Sequence, residues 1–260
     1  VSVDVPQILR CRNLGLSRHH RQVLADIDCV FSPGELTAVI GPNGAGKSSL
    51  LGCLAGVLPN TAGQLSLNER PCLTIPRAER ARLSAFLPQQ ESPAWSMSAE
   101  DLVALGLLPW GQSVKHSQRQ TRVAAALQQV DALELARRPV TQLSGGELRR
   151  VQLARLLVGD APLLIADEPG AALDIRHQLQ LMATFRQQAD AGKTVILAIH
   201  DLGLAARYCD RILLLEGGRL RAQGPAEEVL TQSLVAEVYG VDSELRRRGG
   251  RVEFVAGDLI

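Results

Sequence analysis

The chain has 260 residues, 46% hydrophobic and 21% charged, and its 28 Lys and Arg against 27 Asp and Glu leave a net charge of +1. That length buries a sizeable core as one large α/β domain or two small ones, and the near-cancelling charges leave no global electrostatic field that argues for nucleic acid as the partner. No apolar run approaches the roughly 18 residues of a membrane span and no apolar leader opens the chain, so the sequence reads as soluble and cytoplasmic.

In chain order, residues 8–40 read as short strands broken by the polar stretch 17–22 and by a turn at Ser32, Pro33 and Gly34. A helix follows and ends near Gly56, turns fill 56–71, and 64–67 form a strand. After 83–87 the composition changes. Residues 98–107 and 118–138 are rich in Ala, Leu, Gln and Arg, with Val123, Leu127, Val130 and Leu133 at helical spacing, which predicts a helical insertion. Strand signals return at 163–166 and 194–199, alternating with helices as in a parallel sheet covered on both faces. Residues 212–215 and 220–222 flank Gly217 and Gly218 as a closing hairpin, before short C-terminal helices. Cys11, Cys29, Cys53, Cys72 and Cys209 are scattered and odd in number, so they read as reduced, mostly buried thiols and not as a metal site.

Gly41, Pro42, Asn43, Gly44, Ala45, Gly46, Lys47 and Ser48 form a complete phosphate-binding loop between the apolar stretch 36–40 and a helix-forming run from Ser49, which joins the loop as a nucleotide contact. The glycines let successive N–H groups turn inward as an anion nest, and the next helix aims its positive end at the same phosphates. Lys47 is placed to reach the β and γ phosphates and Ser48 to hold Mg²⁺. The apolar run 163–166 ends in Asp167 and Glu168. Asp167 completes the magnesium shell, and Glu168 can orient and polarise the attacking water, help worth about 10²- to 10⁴-fold in rate.

Leu143, Ser144, Gly145, Gly146 and Glu147 open a helix that carries Leu148, Val151 and Ala154 on one face, another anion-binding helix N-terminus. This run resembles the LSGGE or LSGGQ signature of the ATP-binding cassette ATPases, and the resemblance covers nearly the whole chain. It implies an α/β fold: a P-loop NTPase (RecA-like) core with an antiparallel β subdomain and a helical subdomain of about residues 90–160 inserted. It also implies that Ser144, Gly145 and Gly146 contact the γ-phosphate held by a second cassette, so that two copies sandwich two ATP molecules head to tail. Gln89 matches the glutamine that touches the magnesium and water region and couples it to the membrane partner. Asp174, after Ala172 and Leu173, matches the loop across the dimer interface, and His200 matches the histidine on the γ-phosphate.

Two positions depart from the family pattern. Counted from Gly34 and Glu35, Leu16 stands where many cassettes stack a tyrosine on adenine, with His19 and His20 nearby; Leu16 is then expected to pack on the ring face. Gly170 replaces the usual Thr or Ser, which is expected to loosen the turn before Asp174.

The interval between phosphate loop and signature lacks the sustained heptads of chromosome-maintenance relatives. A single separate cassette is similar to bacterial importer subunits, and residues 83–110, with Ala205, Ala206, Arg207, Tyr208, Cys209 and Asp210, look most like cassettes for ferric siderophores; heme and cobalamin importers are the alternatives. The resemblance implies two integral-membrane permease subunits, a periplasmic or surface binding protein indirectly, no nucleic acid, and a place on the cytoplasmic face of the bacterial inner membrane. Residues 92–97 are expected at the permease groove, with Trp95 either an anchor there or a packed loop tryptophan. A soluble cassette ATPase of an assembly complex is the reading of another class. Arg246, Arg247 and Arg248, with Arg251, read as a solvated charged turn, with anionic lipid headgroups as the alternative.

Overall fold

Three strands of five residues, β3 (Leu36–Ile40), β7 (Leu163–Asp167) and β8 (Thr194–Ala198), are buried along their whole length. Strands so covered on both faces belong to a parallel sheet. In the computed structural model, which describes residues 8–90, 96–113, 115–249 and 251–260, they lie at the centre of a six-stranded sheet. With β6 (Ser84–Leu87), β9 (Arg211–Glu216) and β10 (Arg219–Gly224) the order is β10-β9-β3-β8-β7-β6, parallel except for the β9–β10 hairpin. A second, antiparallel sheet has the order β2-β1-β4-β5, from β1 (Leu9–Arg18), β2 (Arg21–Phe31), β4 (Ala62–Leu67) and β5 (Arg70–Pro71). The polar stretch at 17–22 is the tip of its first hairpin, where His19 and His20 take positive φ.

Helix α1 (Lys47–Leu54) lies between the sheets, and Leu50 and Leu51 join Leu14, Leu24 and Phe31 on one side to Val39, Ile196 and Leu213 on the other. The opposite face of the six-stranded sheet carries α6 (Ile175–Asp190) and α7 (Leu202–Tyr208), and the larger core there extends into the helical insertion. Short α2 (Arg77–Leu83) precedes β6. Between β6 and β7 come α3 (Ala99–Ala104), a 3-10 stretch over Leu105–Ser113, α4 (His116–Gln129) and α5 (Gly145–Val158). Val123, Leu127 and Val130 are buried as expected, but α4 stops at Gln129 and not at 138. Asp131 there takes a left-handed φ of 55°, and Leu133, on a later 3-10 turn, is 45% exposed.

The expected short C-terminal helices are present, but they are not the end of the fold. Beyond α8 (Ala226–Val229) and α9 (Gln232–Tyr239) the chain ends in an antiparallel hairpin, β11 (Val241–Arg248) and β12 (Arg251–Leu259). Its alternation hides among charges, but Leu245, Val252 and Phe254 pack on the larger core. Arg246 pairs with Glu244 and Arg247 with Glu227, so much of the basic run at this strand end is matched within the chain. All five cysteines are free, four of them buried, and Cys11 faces Cys29 across β1 and β2. No helix among the described residues is long and apolar enough to cross a membrane.

The insertion is held against α5 by close backbone approach. A Cβ added to Gly106 would sit 2.3 Å from the Arg155 carbonyl oxygen and 2.5 Å from Val158 Cγ1. Since a carbonyl cannot swing aside as a side-chain tip can, Gly106→Ala is expected to destabilise the chain by about 1–3 kcal/mol. Urea denaturation measures this, and an unchanged midpoint would mean that the 3-10 stretch moves freely off α5.

Candidate active site

The parallel strands deliver their C-terminal ends to one edge of the sheet, and the loops leaving β3, β6, β7 and β8 there carry the predicted site residues other than Leu16, Ser144, Gly145 and Gly146. After β3 the chain turns through residues 41–46, with Gly46 in a left-handed conformation (φ 101°) as the first residue before α1. A Cβ on Gly46 would lie 2.8 Å from Leu24 Cδ2, so both the backbone angle and the hairpin overhead require glycine. Lys47 Nζ donates to the carbonyls of Gly41 (2.8 Å) and Pro42 (3.1 Å) and is 5% exposed. Burial pushes its pKa down, opposed by the carboxylates of Glu168 and Asp167.

Asp167, the last residue of β7, is buried, and burial raises its carboxyl above the usual range against a hydrogen bond from Ser48. Its Oδ1 has no hydrogen-bond partner among the described residues. Glu168 follows with a left-handed φ of 46°, a strained backbone for a residue with a Cβ. Its N–H donates to the Ala198 carbonyl on β8 (3.0 Å). Gln89 Nε2 donates to Glu168 Oε2 (2.7 Å), and His200 Nε2 bonds Glu168 Oε1. Three loops from separate strands thus meet on one carboxylate.

A cleft of about 360 Å³ is lined by Asn43, Gly44, Ala45, Gly46, Lys47, Ser48, Ser49, Gln89, Glu168 and Val23. Val23, on β2, is a wall residue that the sequence reading did not select; its only signal is that it is the first apolar residue after the polar hairpin tip. Leu16 is corrected. It is 3% exposed and packs in the core of the β subdomain opposite Leu24, so it offers no face to a base. Register shifts between Leu14 and Leu16 and between Leu16 and Ser17 make a count along the strand unreliable as a guide to which side a residue faces.

Ser144, Gly145 and Gly146 do not line this cleft. Ser144 caps α5 in a reciprocal capping box: its Oγ accepts from Glu147 N–H (3.3 Å), and Glu147 Oε2 accepts from Ser144 N–H (2.8 Å). Asp174 caps α6, accepting from His177 N–H at 2.9 Å. The turn at Gly170 is tied by Ala171 N–H to the Glu168 carbonyl (3.1 Å) and by Leu173 N–H to the Gly170 carbonyl (3.2 Å). It keeps its hydrogen bonds without a Thr or Ser side chain.

Residues 24–171 match the family described as ABC transporter. The chain belongs to the ABC transporter family. It is 46% identical over 240 residues to the hemin import ATP-binding protein HmuV of Pseudomonas entomophila, covering 90% of this chain and 93% of that one. To the protein of the same name from Streptomyces coelicolor it is 43% identical over 219 residues, 84% of this chain and 78% of the relative. Among solved structures, a bacterial Atm1-family ABC exporter with ATP bound superposes with a TM-score of 0.79 at 26% identity, covering 92% of this chain and 42% of that longer one. This ABC transporter subunit has the RecA-like P-loop core with the inserted helical subdomain, and it is an ATPase.

The capping box at the head of α5 gives a pH signature. The Ser144 N–H, then Arg138, hold the Glu147 carboxyl below its ordinary value of 4.5. A depressed carboxyl contributes stability that is complete above its unfolded value and lost as pH falls through the folded one. Glu147→Ala is therefore expected to melt below wild type at pH 7, with the gap shrinking below 4.5 and closing once the wild-type carboxyl is protonated in the folded as well as the unfolded chain. Parallel melting curves across that range would show that the carboxylate does not hold the helix head.

Proposed function

We propose that this chain is the ATP-hydrolysing subunit of a bacterial heme importer, working as a head-to-tail pair beneath two membrane subunits. The observation that carries the catalytic part is the cleft, in which Lys47, Ser48, Gln89 and Glu168 converge while Ser144, Gly145 and Gly146 stand outside it. A second copy then supplies the missing half of each site, its Ser144 and Gly146 reaching the γ-phosphate, with Asp174 and the loop before it at the interface. ATP stabilises only the paired arrangement, which is the differential affinity a two-state transporter needs.

The amides of residues 41–48 and the head of α1 bind the phosphates, with Ser49 beside them, and Lys47 reaches the β and γ phosphates. The buried, unpartnered Asp167 Oδ1 and the hydroxyl of Ser48 are oxygen donors suited to a hard divalent cation. Mg²⁺ would be held there with Gln89, and it neutralises phosphate charge when bound. Glu168 orients the attacking water and takes its proton, His200 contacts the γ-phosphate, and Val23 gives the cleft an apolar wall.

A groove of about 270 Å³ between β6, the 3-10 stretch and α5 is the seat we assign to the permease, on the cytoplasmic side of the membrane. Arg82 lies over the Trp110 ring at 5.7 Å, and Trp110 Nε1 donates to the Gly159 carbonyl (3.2 Å), so this aromatic edge is fixed in advance. Of the segment expected there, residues 92–95, including Trp95, lie outside the described residues. Cargo reaches this chain only through its partners, a binding protein among them. The similarity to hemin-import proteins favours heme over the ferric siderophore suggested by residues 83–110.

Glu168→Gln is expected to keep ATP-dependent pairing in light scattering while turnover falls by about 10²- to 10⁴-fold. Lys47→Ala is expected to weaken ATP binding by roughly tenfold or more, one charge-assisted contact being lost. Equal turnover in wild type and Glu168→Gln would remove the base. For cargo, vesicles holding this chain with its permease should take up heme on ATP addition; uptake of a ferric siderophore and no heme would reverse the assignment.

A further inference from the structure

Arg149 lies one turn into α5, is 5% exposed, and spreads its guanidinium over two of the loops that form the cleft. Nη2 donates to the carbonyls of Asp167 (2.8 Å) and Glu168 (2.8 Å), Nε to that of Pro169 (3.1 Å), and Nη1 to that of Pro88 (2.9 Å). Nη1 also reaches Gln152 Oε1 at 3.4 Å on the same helix. Four backbone carbonyls, three consecutive from the last residue of β7 onward and one beside Gln89, are thus gathered by one planar fork of five N–H donors.

Glu168 makes this arrangement consequential. Its left-handed backbone persists only if its surroundings over-determine it. The N–H is fixed to Ala198 on β8 and the carbonyl to Arg149 on α5. The same helix begins at Ser144, and Gly146 lies against the loop after Glu168, where an added Cβ would stand 3.1 Å from the Ala172 carbonyl. One 14-residue helix, packed through Val151 and Ala154, thus joins Ser144 and Gly146 at its head to the carbonyls that Arg149 holds.

We propose that Arg149 is a positioning residue: it sets the orientation of Glu168 and Gln89 and links hydrolysis in this chain to nucleotide engaged by its own Ser144 and Gly146 in the partner's site. The inference rests on the paired reading above. When the head of α5 closes on the partner's nucleotide, the fork carries the shift to Pro88 and Glu168, and each copy fires in response to the other's occupancy. Arg149 touches neither nucleotide nor water in this role.

The test is steady-state ATP hydrolysis by the full chain as wild type, Arg149→Lys and Arg149→Met, with the Hill coefficient for ATP and the melting midpoint measured together. Lysine keeps the charge but not the fork. For Arg149→Lys, kcat is expected to fall between about tenfold and a hundredfold, as a misplaced reactive group costs, with KM within about twofold. The Hill coefficient is expected to drop from above one toward one, and ATP-dependent pairing in the Glu168→Gln background to persist. A wild-type kcat and Hill coefficient in Arg149→Lys overturn the proposal, as does activity that falls only in step with the melting midpoint. Failure of both variants to fold makes the guanidinium a purely structural tie and overturns it equally. Wild type that hydrolyses ATP with a Hill coefficient of one removes the linkage while leaving the ATPase intact. Wild type with neither hydrolysis nor pairing removes the underlying reading.

Discussion

The ammonium of Lys47 is taken out of water at the root of the cleft, where the Gly41 and Pro42 carbonyls hold it and two carboxylates, Asp167 and Glu168, face it. An ion so buried costs several kcal/mol unless it is matched, and here the match comes from the ends of two different strands. Asp167 is matched in turn by Ser48 and the nearby cations. The order of the parallel sheet follows the same need: β3, which leads to the lysine, and β7, which leads to the carboxylates, are separated only by β8, which brings His200.

Around this centre the layers have separable tasks. The antiparallel sheet seats α1 and closes the loop from above through Leu24 and Val23. The helical insertion contributes little to the cleft itself, but through α5 it reaches behind it. Its packing against the 3-10 stretch at Gly106 and Gly159 leaves no room for a methyl group, and Trp110 is tied to the Gly159 carbonyl at the end of α5.

What was legible in the sequence was what local chemistry dictates. The glycines of residues 41–46 and Lys47 directly after them mark the cleft-lining loop, and residues 163–168 declare a buried strand ending in acid. The three expectations that failed depend on non-local facts. Leu16 was placed by counting along a strand, and bulges between Leu14 and Ser17 shift the register. The end of α4 hung on Asp131 taking a left-handed turn, which its neighbours do not announce. The β11–β12 hairpin was masked because its apolar positions are separated by Arg and Glu pairs that meet only after folding. Arg149 was invisible for a related reason: its partners are carbonyls, which any sequence would provide, and their convergence is purely tertiary. Cargo was the least legible of all, since nothing in the cleft touches it.

The carboxylate of Glu168 has both oxygens in use, one bonded to Gln89 and the other to His200. Each oxygen keeps a further lone pair, so the two side chains aim the carboxylate without using up its capacity to accept. Those side chains stand on the loops after β6 and β8, the strands on either side of β7, so the direction of this carboxylate is set from both neighbouring strands at once.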